Sequence, residues 1–265
     1  MKTKINFLKI NTYLVAVSLL IICMSWPLSI LHAQEKQKVK NIVLVHGAFA
    51  DGSGWEEVYN ILTKKGYNVT IVQNPCSSLE DDVAATNQAL ERQDGPSILV
   101  GHSWGGTVIT QAGLSPKVLR LVYINAFVPE VGETAGQLAS SEPAAKEAGV
   151  LLPDENGWLW YPKDKFHLGF AGDISKQKSD FMYDSQVPIT VKCFTTPVTI
   201  AAWKTKPSYG IVSTGDKSLN PIIERRMYKR AGSIVTEINA SHVVYISQPK
   251  KVAEVIEAAA MGIVK

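Results

Sequence analysis

Three glycines flank a serine in Gly101-His102-Ser103-Trp104-Gly105-Gly106, between an apolar run and a helical pattern. A serine on a tight strand-to-helix turn stands clear of a sheet edge, and the glycines are needed because side chains there would collide with neighbouring backbone. The helix start also aims backbone N–H groups at negative charge that develops beside the serine. These are the requirements of a nucleophile that attacks a carbonyl carbon. The competing reading is a glycine-rich turn with an idle serine, and the strand before and helix after the pentapeptide weigh against it.

Such a serine needs a base, and the chain has five histidines. His32 falls in an N-terminal apolar stretch, His46 in the turn after the first strand, His102 beside the serine, and His167 in an irregular region. His242 follows the last predicted strand, where a loop at the carboxyl edge of a sheet can face Ser103. A carboxylate must then fix the imidazole tautomer and stabilise the imidazolium. Asp216, in Ser213-Thr214-Gly215-Asp216, follows the preceding strand and so lies at the same edge. Glu130 and Glu133 are the fallback acids. For the oxyanion, a backbone N–H from the loop Val45-His46-Gly47-Ala48-Phe49, with that of Trp104, would supply two donors.

These loops require a particular scaffold. Apolar or β-rich runs at residues 41–45, 67–72, 97–101, 118–125, 208–213 and 233–238 alternate with helical patterns at 54–65, 79–92, 104–113, 221–231 and 249–261. Ser78 and Asp81 offer a capping box to the second of these helices. Apolar strands alternating with amphipathic helices predict an α/β fold, a mostly parallel central sheet with helices on both faces. Between Phe127 and Pro207 the regularity breaks into an aromatic-rich stretch with no clean period, read as an insertion over the sheet.

The chain has 265 residues, 46% of them hydrophobic and 19% charged, with a formal net charge of +3. That composition excludes a disordered, collagen-like or multi-span membrane protein. Within residues 1–33 the only charges are Lys2, Lys4 and Lys9, so the remainder is neutral and has no basic cluster for nucleic acid. The three lysines, the uncharged run 10–33 and the ending Leu31-His32-Ala33 form the pattern of an export signal cleaved after Ala33. Pro27 interrupts the alternative of an uncleaved anchor, and Ile22 is bulky for a lipoprotein signal ending at Cys23. The expected mature protein, residues 34–265, is then periplasmic or secreted, with no stable membrane insertion. It keeps Cys76 and Cys193, each expected as a buried thiol, and no metal-like His/Cys spacing appears.

These motifs resemble the α/β-hydrolase superfamily from about Asn41 to the C-terminus. The residues 45–55, the Gly101–Gly106 elbow and Ser241-His242 followed by Ser247-Gln248-Pro249 are similar to bacterial esterase-like members close to plant methylesterases and hydroxynitrile lyases. The resemblance fits the chain order Ser103, Asp216, His242. It implies Ala48 as the oxyanion donor beside Trp104, no metal or organic cofactor, and a cap inserted after the sixth sheet strand, matching residues 127–207. The lyase branch has threonine where this chain has Gly47, and lysine after the histidine where this chain has Val243. Without that buried cation a cyanide leaving group loses its charge partner, so the expectation is a serine carboxylic-ester hydrolase for small to medium apolar or aryl esters. A lactonase, thioesterase or cofactor-free perhydrolase would use the same groups, and a ligand-binding, receptor-like protein on this fold would not need them.

Overall fold

The computed structural model describes residues 39–263; the predicted export signal, residues 1–33, lies outside them. Six parallel strands form the main sheet: β1 (Asn41–Val45), β2 (Asn68–Val72), β3 (Ser97–His102), β4 (Val118–Ile124), β7 (Ser208–Ser213) and β8 (Ile234–Ile238), in the spatial order β2-β1-β3-β4-β7-β8. Every residue of β1, β3 and β7 is buried, as expected where a sheet is covered on both faces. Edge strands β2 and β8 are only partly buried, and β8 alternates between half-buried and exposed positions until Ile238. The order reverses between β1 and β3, so the loops after these two strands diverge and leave a crevice at the carboxyl edge.

Helices α1 (Glu56–Lys64) and α9 (Pro249–Met261) pack on each other, as do α2 (Leu79–Glu91) and α3 (Gly105–Ala112), and members of both pairs pack on the sheet. Ser78 caps α2 by accepting the Asp81 N–H at 3.0 Å. The predicted box is only half formed, because the Asp81 carboxylate accepts from the Ser77 hydroxyl at 2.7 Å; an aspartate is a methylene shorter than the residue a full box uses. Helix α8 (Pro221–Ala231) starts after Asn220, whose side chain accepts the Ile222 N–H at 3.0 Å.

Residues 127–207 join β4 to β7 through short pieces: α4 (Ala135–Ala139), strands β5 (Trp158–Leu159) and β6 (Ile189–Thr190) as a two-residue antiparallel pair, α5 (Lys163–Lys165), a π turn at Phe166–Phe170, α6 (Lys176–Asp184) and α7 (Val191–Thr195). Counted over the described residues, this segment follows the fourth strand of the main sheet rather than the sixth, because the sheet described begins at Asn41. It docks on the loops at the carboxyl edge: Phe49 N–H donates to Val187 O at 3.0 Å, and Thr190 N–H to Cys76 O at 3.0 Å.

Candidate active site

Phe49, Cys76, Ser103 and Asn125 have φ of +60°, +57°, +53° and +43°, and they follow the ends of β1, β2, β3 and β4. They are the only non-glycine residues with positive φ among those described. Left-handed backbone at such residues persists only where surrounding contacts over-determine it, and it clusters at functional sites. At Ser103 the contacts are visible. Its N–H donates to Ile124 O at 3.1 Å, and its carbonyl accepts from Gly106 and Phe127 N–H groups at 2.9 and 3.2 Å. The predicted need for glycine is also met in distances: a Cβ on Gly101 would sit 2.5 Å from Gly105 O, and one on Gly105 2.8 Å from His46 O.

The structure brings Asp216 and His242 together. His242 Nδ1 donates to Asp216 Oδ2 at 2.6 Å, and both residues are almost fully buried. The other carboxylate oxygen accepts the N–H groups of Ser218 and Leu219 at 2.8 and 2.9 Å. With Nδ1 committed as donor, His242 Nε2 is the free nitrogen, and it is buried with no hydrogen-bond partner among the described residues. Ser103, itself 8% exposed, therefore does not close a hydrogen bond to it in this structure; such bonds are often loose until a ligand is in place. Glu130 and Glu133, the fallback acids, are instead paired with Lys204 and Arg230, each at 2.7 Å.

Ala48 and Trp104 lie in the turns that follow β1 and β3. The Phe49 N–H is taken by Val187, which leaves that of Ala48 as the neighbouring candidate donor. A Cβ on Gly47 would lie 2.7 Å from Ser103 Cβ, so only a glycine lets this loop approach the serine side chain so closely. The rings of Phe49, Tyr161, Phe166 and Phe170 form one contiguous cluster, and Phe170 meets the His242 ring edge-on at 4.9 Å. A cavity of about 450 Å³ opens beside the His242 loop, lined by Leu168, Asp173, Lys217 and Ser241 but not by Ser103. Among the described residues no group of three or more histidine, cysteine or acidic side chains is placed to hold a metal ion.

The sequence matches the Alpha/beta hydrolase family over residues 42–255. The chain belongs to that family. It is 29% identical over 244 residues to the carbendazim hydrolyzing esterase of Nocardioides sp. (strain SG-4G), covering 82% of this chain and 98% of the relative. The crystal structure of a pyrethroid hydrolase from Sphingobium faniae JZ-2 superposes with a TM-score of 0.71 at 26% identity, covering 84% of this chain and 97% of that one. Polyneuridine aldehyde esterase, at 17% identity and a TM-score of 0.72 over 82% of this chain and 98% of its own, shares the fold.

Within this family frame, several residues that sequence reasoning passed over hold the site in place. Asn125 ties two loops together: its Nδ2 donates to Ser213 Oγ, Ser241 O and His242 O at 2.9, 3.2 and 3.0 Å, and its Oδ1 accepts the Ser213 N–H at 2.9 Å. His102 also donates through Nε2 to His242 O at 2.9 Å. Burial, and then the neighbouring His242, push His102 well below the ordinary histidine range, so it is a neutral donor at physiological pH. Asp82, buried on α2, accepts the Trp104 indole N–H and the Cys76 N–H at 2.7 Å each. Burial raises its carboxyl, and the indole bond works against that rise. Cys76 and Cys193 are free buried thiols, with burial pushing Cys193 up to about 12.

Proposed function

We propose that this member of the Alpha/beta hydrolase family is a serine carboxylic-ester hydrolase acting on small to medium apolar or aryl esters through an acyl-enzyme. The observation that carries the reading is the buried 2.6 Å bond from His242 to Asp216, at the sheet edge where Ser103 stands at φ +53°. Ser103 Oγ attacks the acyl carbon while His242 Nε2 takes its proton. Asp216 holds the tautomer that leaves Nε2 free and stabilises the imidazolium. The Ala48 and Trp104 N–H groups receive the oxyanion, each worth about 2.7 to 4 kcal/mol in the transition state. His242 then protonates the leaving alcohol or phenol, water enters, and the same groups release the acid.

The buried rings of Phe49, Tyr161, Phe166 and Phe170 favour an apolar, uncharged ester, and buried Val243 after the histidine offers no cation for a cyanide leaving group. The esterase and pyrethroid hydrolase among the relatives support the same substrate class. The test is hydrolysis of p-nitrophenyl acetate and butyrate by the purified protein, with Ser103→Ala expected to lower kcat by about 10³-fold or more while the fold is retained. A serine-directed phosphonate should label Ser103 in the wild type. Equal turnover in wild type and variant would refute the reading, and a panel of lactones, thioesters and peroxide with acetate decides among acyl acceptors and donors.

A further inference from the structure

Glu224, at the first turn of α8, is fully buried, and neither of its carboxyl oxygens has a hydrogen-bond donor among the described residues. The polar group against it, at hydrogen-bonding range, is the carboxyl of Asp216. Two carboxyl groups in contact present only lone pairs to each other unless one of them carries a proton. Asp216 already receives three donors, the N–H groups of Ser218 and Leu219 and Nδ1 of His242, so its charge is solvated by the protein. Glu224 receives none. The shared proton therefore belongs on Glu224, in the way that one of two contacting carboxyls stays neutral.

The other groups around the pair leave that assignment in place. Arg225 is on the same helix but is taken by Glu237 of β8 through bonds of 2.7 and 2.9 Å at the surface. Tyr228, one turn on, is buried, accepts the Ala126 N–H at 2.8 Å, and stays a neutral phenol because burial raises it. Tyr161, which faces Asp216, is a neutral phenol for the same reason. Around His242 the facing groups are Asp216, the neutral His102 ring at 4.7 Å and the Phe170 ring. Burial first, and Asp216 second, hold the Glu224 carboxyl well above the ordinary range.

We propose that Glu224 is a positioning residue: as the neutral acid it donates its carboxyl hydrogen to Asp216 and so holds the carboxylate of Asp216 against His242. The proposal rests on reading Asp216 and His242 as the acid and base of ester hydrolysis. Its chemical consequence is a tempered charge. A carboxylate that shares a fourth donor attracts the imidazolium proton less strongly than one that does not.

The test compares Glu224→Gln, which keeps shape and a donor but cannot ionise, with Glu224→Leu, which keeps bulk and loses the donor. On p-nitrophenyl acetate, Glu224→Gln should keep kcat within about twofold and the acid limb of kcat/KM at the wild-type pH. Glu224→Leu should lose about tenfold in kcat at nearly unchanged KM, with the acid limb moved to higher pH. An acid limb that falls to lower pH in Glu224→Gln would mean that wild-type Glu224 is ionised, and a Glu224→Leu enzyme indistinguishable from wild type would mean that the bond is idle; either overturns the proposal. Two readouts do not need activity. Infrared difference spectra at neutral pH should contain the C=O stretch of a protonated carboxylic acid in wild type and lack it in Glu224→Gln; its absence from wild type overturns the proposal even if Glu224→Leu does not fold. In urea, a raised buried carboxyl contributes its stability fully below the ordinary carboxylate range and loses it as pH rises, so Glu224→Gln should gain on wild type between about pH 5 and 8, and a constant difference counts against the proposal. Wild type without any esterase activity would refute the hydrolase reading instead, and the infrared and urea arms would still decide the state of Glu224.

Discussion

The carboxyl edge of the sheet and the segment 127–207 solve the same problem, placing side chains around Ser103, by different physical means. At the edge, Phe49, Cys76, Ser103 and Asn125 hold left-handed backbone after four strands, and Asn125 alone makes four buried hydrogen bonds to the loops of β7 and His242. Hydrogen bonds are directional, so loops tied this way keep their atoms within tenths of an ångström. The intervening segment has two-residue strands, a three-residue helix and a π turn, and its buried rings meet in tilted and edge contacts with centroids 5.0 to 5.7 Å apart. Apolar contacts fix shape loosely and tolerate exchange of equal volumes. On the function proposed above, the parts that must be exact for proton transfer stand on the first kind of support, and the parts that would meet the variable half of a substrate stand on the second.

The strongest way to break this contrast is to add one methyl group to each region. A Cβ on Gly106 would lie 2.3 Å from Phe127 O and 2.7 Å from Ala126 Cβ, where the first turn of α3 passes the loop after β4. Gly106→Ala should cost about 3 kcal/mol or more, or leave no folded protein, because backbone on both sides must move. Gly157, between Asn156 and β5, has φ +80° and nothing within 4 Å of the added carbon. Gly157→Ala pays only the left-handed backbone penalty, about 1 to 2 kcal/mol, and should leave ester turnover unchanged. Urea unfolding of both variants measures the difference; equal losses would show that the edge is no tighter than the segment.

The same contrast explains what the sequence made legible. The strands at 41–45, 97–102, 118–124 and 208–213 are mostly apolar because the sheet is covered, and the serine turn, Asp216 and His242 follow from their positions at strand ends. Asn125, His102 and Asp82 were not legible as supports, since the partners of the first two lie 88 to 140 residues away and the Trp104 indole that Asp82 holds lies 22 away. Glu224 sits in Ile222-Ile223-Glu224-Arg225-Arg226-Met227, which looks like an exposed charged helix, but Ile223, Glu224, Met227 and Tyr228 form its buried face. The available signal was the spacing of Glu224 to Tyr228 alongside that of Ile223 to Met227, a carboxyl on the inward stripe. Residues 127–207 offered no period because none of their strands or helices except α6 exceeds five residues.

A smaller effect should come from Phe170→Leu. The ring lies edge-on to His242 at 4.9 Å and against Tyr161 and Phe166 at 5.3 and 5.0 Å. Leucine keeps most of the volume and loses the ring contacts, so stability should fall by about 1 kcal/mol. Selectivity is the sharper readout. If the segment shapes the acyl or aryl pocket, the ratio of kcat/KM for an aryl ester over p-nitrophenyl acetate should drop about fivefold, while acetate turnover stays near wild type. A drop of equal size for both esters would assign Phe170 to holding His242 rather than to the substrate.

Asp173 is where the two kinds of support meet, and it sets the smallest expected effect. Its exposed carboxylate, just after the π turn, accepts from Ser241 N–H at 2.9 Å, from Ser241 Oγ, and from Ser247 Oγ at 2.7 Å, so the segment grips the loop that carries His242. The same loop is held from beneath by Asn125 and His102, both fully buried. A hydrogen bond open to water contributes little, because water replaces the lost partner, whereas a buried one leaves an unsatisfied group behind. Asp173→Ala should therefore cost about 1 kcal/mol or less and lower kcat by no more than about threefold, with Asp173→Asn closer to wild type because an amide oxygen still accepts. Asn125→Ala is the matched comparison, and it should lower kcat at least tenfold more than Asp173→Ala does. The reverse ranking would mean that the segment, and not the sheet edge, sets the position of His242, and closure of the segment over a bound ester would then have to precede proton transfer.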